Sequence, residues 1–214
     1  MVLLKNNKYK IQRFVNLNFN ANTYLITNKE SDQGCYLIDV GNAIAALNVI
    51  KPNQYIKGIF LTHAHYDHIV DIHEVIKKFP NCSIYCSQYT KDALADSKLN
   101  LTFYHGKPIS YSGANVIVIK ERDEITLYSG LSIATIETPG HNEGCLSFKF
   151  QHYCFTGDAL IPEVKVVTKL KSGNKEAAKQ SIIKIQEWLD DTDIVLSGHG
   201  ESFLKNEINW DYFK

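Results

Sequence analysis

Apolar and polar positions alternate through much of the first part of the chain, at the period of a β-strand. Residues 9–19 form one such stretch, 22–27 the next and 35–39 a third, with Gly34 and Gly41 as punctuation. A short helix is predicted over 43–50, stopping before Pro52. An apolar strand follows at 56–61. Beyond it the period lengthens to about 3.6. Ile69, Ile72, Val75, Ile76 and Phe79 lie three or four apart and predict one helix, with Asp67 at or near its N-cap and Pro80 as its stop.

The second half repeats the style. Residues 83–85, 116–119, 124–128 and 131–137 read as strands, and 145–150 with 152–156 as a hairpin. Ala177, Ile182, Ile185, Trp188 and Leu189 mark a helix over about 174–191, and 194–196 is a last short strand. Strands followed by a helix and a further strand, in each half, predict two sheets packed face to face with helices outside. No linker or low-complexity segment interrupts residues 1–214, which are expected to form a single domain.

Composition narrows the function classes. Lys+Arg and Asp+Glu are both 23, a balance that speaks against a polyanion binder, so no nucleic-acid partner is expected. Arg13 and Arg122 are the only arginines, too few for bidentate capture of phosphate. The N-terminus reads as neither a signal peptide nor a membrane span, and no membrane association is expected. Five cysteines (Cys35, Cys82, Cys86, Cys145, Cys154) make an odd count without a disulfide framework. They read as buried free thiols, and a cytoplasmic location is expected.

The chemistry concentrates at the strand-to-helix junction, His63-Ala64-His65-Tyr66-Asp67-His68. Three imidazoles and a carboxylate in six positions form a donor set suited to a divalent metal such as zinc. Three later segments share one design, an apolar strand leading into a small-residue turn that carries a donor. They are Thr138-Pro139-Gly140-His141, Thr156-Gly157-Asp158 and Ser197-Gly198-His199. Singly each is weak, because a strand-end Asp or His is commonly a cap or a core hydrogen-bonding group. His73, His105 and His152 read as surface histidines, although the loop of His105 reaches toward a pocket rim. The lysines at 165, 169 and 171 read as a solvated loop.

Together these motifs resemble the metallo-β-lactamase superfamily, whose signature is His-x-His-x-Asp-His followed by His, Asp and His on later strand ends. Asn22-Thr23-Tyr24-Leu25-Ile26, Leu37-Ile38-Asp39-Val40-Gly41 and Gly144-Cys145-Leu146-Ser147-Phe148 are most similar to its small glyoxalase II-like hydrolases. The resemblance implies an α+β chain folded as a four-layer αββα sandwich of two mixed sheets. It implies two zinc ions, with iron or manganese as alternatives. His63, His65 and His141 would hold the first, Asp67, His68 and His199 the second, and Asp158 would bridge them. Asp67 and Asp158 are the carboxylates expected to act in catalysis. Asp39 matches an aspartate that orients the histidine loop, a role the residues alone do not separate from a plain turn carboxylate. The implied activity is attack of a metal-activated water on a carbonyl carbon, with a small-molecule thioester or ester as substrate and the oligomeric state left open. Only residues 201–214 follow the last motif, so the helical glutathione-gripping domain of glyoxalase II is not expected. Rival readings are a mononuclear iron enzyme of the persulfide dioxygenase type and a non-catalytic, metal-stabilised binding module.

Overall fold

The computed structural model describes residues 8–29 and 34–213. Among these residues the strands form two six-stranded mixed sheets. The first holds β1 (Tyr9–Val15), β2 (Asn22–Asn28), β3 (Cys35–Ile38), β4 (Ile56–Phe60), β5 (Ser83–Cys86) and β6 (Val116–Val118), in that order. Its first two pairings are antiparallel and the next three parallel. The second runs from β7 (Glu124–Tyr128) through β8 (Leu131–Glu137), β9 (Leu146–Phe150), β10 (Tyr153–Gly157) and β11 (Ile194–Ser197) to β12 (Phe203–Leu204). There only β10 and β11 pair in parallel. The helices are α1 (Ala43–Leu47), α2 (Tyr66–Ile69), α3 (Ile72–Lys78), α4 (Gln88–Ala95) and α5 (Lys175–Trp188).

Strand alternation assigns each side chain to a layer. Tyr24, Ile26, Tyr36, Ile38 and Phe60 point inward and meet Ile133, Phe148, Phe150, Phe155 and Leu196 of the second sheet. Their neighbours Leu25, Leu37 and Ile59 point outward and pack under Ala43, Ala46, Ile69, Ile72, Val75 and Leu94 of the helices. On the far face Cys154 and Val195 meet Ile182 and Ile185 of α5. The result is an αββα sandwich with three apolar seams. Tyrosine hydroxyls cross the central seam: Tyr24 donates to the Ser197 carbonyl (2.7 Å) and Tyr36 to the Leu127 carbonyl (2.8 Å). The five cysteines are buried free thiols. No helix among the described residues is long and apolar enough to cross a membrane.

Four elements depart from the sequence reading. β12, beyond the last strand that the sequence predicts, pairs antiparallel with β11. The first strand stops at Val15, because buried Asn16 accepts the amide hydrogens of Asn18 (2.8 Å) and Phe19 (3.3 Å) and closes a turn. The helix after the histidine cluster is split into α2 and α3, with His65 rather than Asp67 at the N-cap of α2. The split follows from a competing partner: Val40 donates to the His68 carbonyl (2.8 Å) and accepts from Asp71 (3.0 Å), while the Asp71 carboxylate takes the Ile44 amide hydrogen (3.1 Å). α4 was not anticipated; its start is set by Ser87, whose hydroxyl accepts from the Thr90 amide at 3.1 Å.

Phe148 is fully buried, and its ring lies 5.5 Å from that of Phe60 across the seam. Replacing it by alanine is expected to lower the unfolding free energy by about 3–5 kcal/mol, read from the urea midpoint. A loss below about 1 kcal/mol would mean that the seam repacks freely.

Candidate metal centre

The donors leave strand ends in both sheets. The loop after β4 begins with Thr62, whose amide and hydroxyl both donate to Asp39, at 2.8 and 2.7 Å. The Thr62 carbonyl in turn accepts from Leu146 of the second sheet (2.9 Å), so this loop is tied to both layers. His141 lies in the β8–β9 connection, held against α5 by Asn174 donating to the Gly140 carbonyl (2.8 Å) and Ser181 donating to the Pro139 carbonyl (2.6 Å). Asp158 follows β10 and His199 follows β11, where the Gly198 amide donates to the Gly157 carbonyl (2.8 Å). Glycine is required where these segments touch. A β-carbon on Gly41 would strike the Asp67 carbonyl oxygen, and one on Gly198 would strike the Asp158 carboxylate.

Three overlapping donor groups result, each with its ligand atoms within 4.8 Å of one another: His63, His65 and His141; Asp67, His68 and His199; and His63, His68 and Asp158. Asp158 stands between the first two groups. Its Oδ2 lies 3.5 Å from His141 Nε2 and 3.4 Å from His199 Nε2, and its Oδ1 lies 3.4 Å from His68 Nε2.

The outer nitrogens of these rings are mostly taken. His68 Nδ1 donates to Asp39 (2.8 Å), His141 Nδ1 donates to the Val167 carbonyl (2.8 Å), and His63 Nδ1 lies 3.1 Å from the Thr62 hydroxyl. His65 is turned the other way: its Nδ1 faces His141 Nε2 at 2.9 Å, and its Nε2 lies 3.3 Å from the Asn142 amide. Buried polar atoms are ordinarily hydrogen-bonded. Here His63 Nε2, His68 Nε2 and Asp158 Oδ1 are buried without a hydrogen-bond partner among the described residues. Unpartnered ring nitrogens and a carboxylate oxygen gathered within 4.8 Å of one another are what divalent cations would satisfy.

The electrostatics are divided. Burial, reinforced by the neighbouring imidazoles, holds His63 well below the ordinary histidine range and takes His65 down to about 3. Both rings are therefore neutral, the form that ligates metals. Burial pushes His68 down as well, but Asp67, Asp158 and Asp39 outweigh it and hold His68 well above its usual value. His199 is likewise raised, to about 9, by its hydrogen bonds to Asp158 and Asp67 acting against burial. Burial disfavours ionised Asp158, yet His68 and His199 keep its carboxyl well below the usual range.

All seven donor candidates from the sequence, with Asp39 behind them, are thus brought together. His73 is exposed on α3 and His152 is exposed in the β9–β10 turn, both away from the cluster. His105 stacks on Tyr66 at the cluster's margin, with centroids 4.6 Å apart and planes at 15°. Lys165 is turned to the C-terminal end, where it donates to the Tyr212 carbonyl and lies over the Tyr212 ring. Sequence reasoning missed Thr62, Asn142 and Val167. The first two adjoin recognised histidines; Val167 acts through its backbone carbonyl and leaves no side-chain signal.

The family model described as the metallo-beta-lactamase superfamily matches residues 17–199. The chain belongs to that superfamily. A relative, the probable metallo-hydrolase YqgX of Bacillus subtilis (strain 168), is 33% identical over 190 residues, covering 84% of this chain and 85% of its own. The crystal structure of the BLEG-1 B3 metallo-beta-lactamase superposes with a TM-score of 0.82 at 27% identity, over 92% of this chain and 95% of that one. ETHE1 from Myxococcus xanthus shares the fold at 21% identity, with a TM-score of 0.70 over 92% and 80% of the two chains.

Gly41→Ala is expected to cost about 1–3 kcal/mol through forced displacement of α2. Equilibrium urea unfolding measures this, and an unchanged midpoint would show that the Asp67 carbonyl can retreat freely.

Proposed function

We propose that this superfamily member is a dinuclear metallo-hydrolase, zinc-loaded, that cleaves a small-molecule thioester. In this reading His63, His65 and His141 hold one cation, Asp67, His68 and His199 hold the other, and Asp158 serves both. The observation that carries it is Asp158 standing between two separate three-donor groups, with orphaned nitrogens from each aimed at it. The relative named a probable metallo-hydrolase, alike over most of both chains, supports the hydrolase class. Iron and manganese accept the same nitrogen and oxygen donors.

When bound, such cations supply Lewis acidity and a water acidified to about pKa 7. The chain's own residues orient and neutralise. Asp39 accepts from His68 Nδ1 and so orients the ring with Nε2 toward the site. The Val167 carbonyl does the same for His141. Asp67 and Asp158 bring negative charge to the centre; Asp67 lies 3.3 Å from His199 Nε2. A thioester is the first choice on the motifs shared with glyoxalase II-like hydrolases. A β-lactam amide is the second, on the likeness to BLEG-1. Residues 1–214 act as one catalytic domain, and the five buried thiols suit a reducing cytoplasm.

The purified chain is expected to bind close to two zinc ions and to hydrolyse acyl thioesters. Asp158→Ala should lower kcat by more than about 100-fold, while Asp39→Ala should weaken zinc binding about 10–100-fold in chelator competition. A folded, metal-loaded preparation that cleaves no ester, thioester, lactone or β-lactam would falsify the hydrolase reading.

A further inference from the structure

The turn between β1 and β2 is pinned at both ends. Buried Asn16 accepts from Asn18 and Phe19 and donates to the Gly41 carbonyl. On the other side Ala21 forms an antiparallel bridge with His199, and Asn22 donates to the Gly198 carbonyl at 2.6 Å. Between these anchors Leu17 is 94% exposed and Phe19 40% exposed. A well-held turn beside a donor histidine thus presents two large apolar side chains to solvent.

Phe19 does not stand alone. Its ring meets Tyr66 edge-on at 5.4 Å and His105 edge-on at 5.2 Å, while Tyr66 and His105 stack on each other. Tyr66 is the residue between His65 and Asp67. His105 is delivered by residues 100–109, a surface strap with a buried polar clamp. Asn100, fully buried, donates to the Ala93 and Ile109 carbonyls at 2.9 and 3.0 Å and accepts from the Thr102 amide and hydroxyl. The Thr102 hydroxyl accepts from Ile109 at 2.8 Å. This clamp fixes a turn whose remaining residues, Phe103, Tyr104 and His105, are all exposed.

Three stretches distant in sequence therefore build one rigid aromatic ledge against the donor cluster. Aromatic rings favour other planar apolar groups in stacked or edge-to-face contact. A surface ordered in advance binds such a group without the usual loss of side-chain freedom. Resting on the hydrolase reading above, we propose that this ledge binds an aryl group on the acyl side of the substrate, so that Phe19 and His105 set acyl specificity. The substrate class is then an aryl or arylalkyl thioester, with its carbonyl carried past Tyr66 toward Asp67 and Asp158.

The test uses the zinc-loaded full chain and a series of acetyl, hexanoyl, benzoyl and phenylacetyl thioesters of one thiol. The preferred aryl substrate should exceed acetyl in kcat/KM by at least about tenfold. Phe19→Ala and His105→Ala should each cut that ratio about five- to tenfold, mainly through the KM of the aryl substrate. No aryl preference, or an equal loss on all four substrates, overturns the proposal. If no thioester is turned over, the thioester reading fails and binding decides the ledge separately. Phenylacetate should then shift the amide resonances of Tyr66 and His105 at lower concentration than acetate, and Phe19→Ala should abolish the difference; equal shifts overturn it. Sedimentation of wild type and Phe19→Ala adds a further outcome. A dimer that dissociates on this substitution would assign the ledge to a second copy of the chain, against the proposal.

Discussion

The buried carboxylate of Asp39 joins the scaffold to the cluster. Its two oxygens accept the Thr62 amide, the Thr62 hydroxyl and His68 Nδ1 at 2.7–2.8 Å, so one side chain sets the start of the histidine loop and the orientation of a ring within it. Burying a carboxylate is costly unless hydrogen bonds satisfy it, and here they do. Asp39 also has a left-handed backbone, with φ of 55°. That conformation disfavours most L-residues, although aspartate tolerates it better than most. It is held by the amide of Asp39 donating to the Phe60 carbonyl at 3.0 Å, and by its neighbour Val40 bonding to His68 and Asp71. Strain persists only where the surroundings over-determine it.

The sandwich makes such over-determination available. β3 and β4 lie side by side in parallel, which brings the residues after both strands into contact. β10 and β11 do the same in the other sheet, bringing Asp158 beside the turn that carries His199. A turn alone could not hold several imidazoles with unsatisfied nitrogens facing one another. The strands beneath and the helices against them supply the rigidity, and Leu146 donating to Thr62 joins the two halves at the base of the cluster.

In the proposed function, reaction and selectivity would fall to different parts of the molecule. His63, His65, His68 and His141 are buried, and Asp67, Asp158 and His199 are partly exposed. The Phe19 and His105 rings stand at the margin against Tyr66, on turns that buried Asn16 and Asn100 hold in place. Tyr66 belongs to both, since its backbone lies within the donor motif and its ring within the ledge.

Sequence alone determined which side chains face which layer, because a period of two or 3.6 is a local property of the backbone. It also made the seven candidate donors legible, with Asp39 through the family resemblance, because each is a distinctive side chain in a recognisable short motif. The tertiary structure decided what depends on partners far along the chain. Asn16 ended the first strand, and Val40 and Asp71 divided the helix after the cluster, each through hydrogen bonds that hydrophobic pattern does not encode. Only the fold revealed Val167 as a partner of His141, because a carbonyl is common to every residue. Only the fold turned His105 from a loop histidine into part of an aromatic surface, because stacking depends on where 38 intervening residues place two rings.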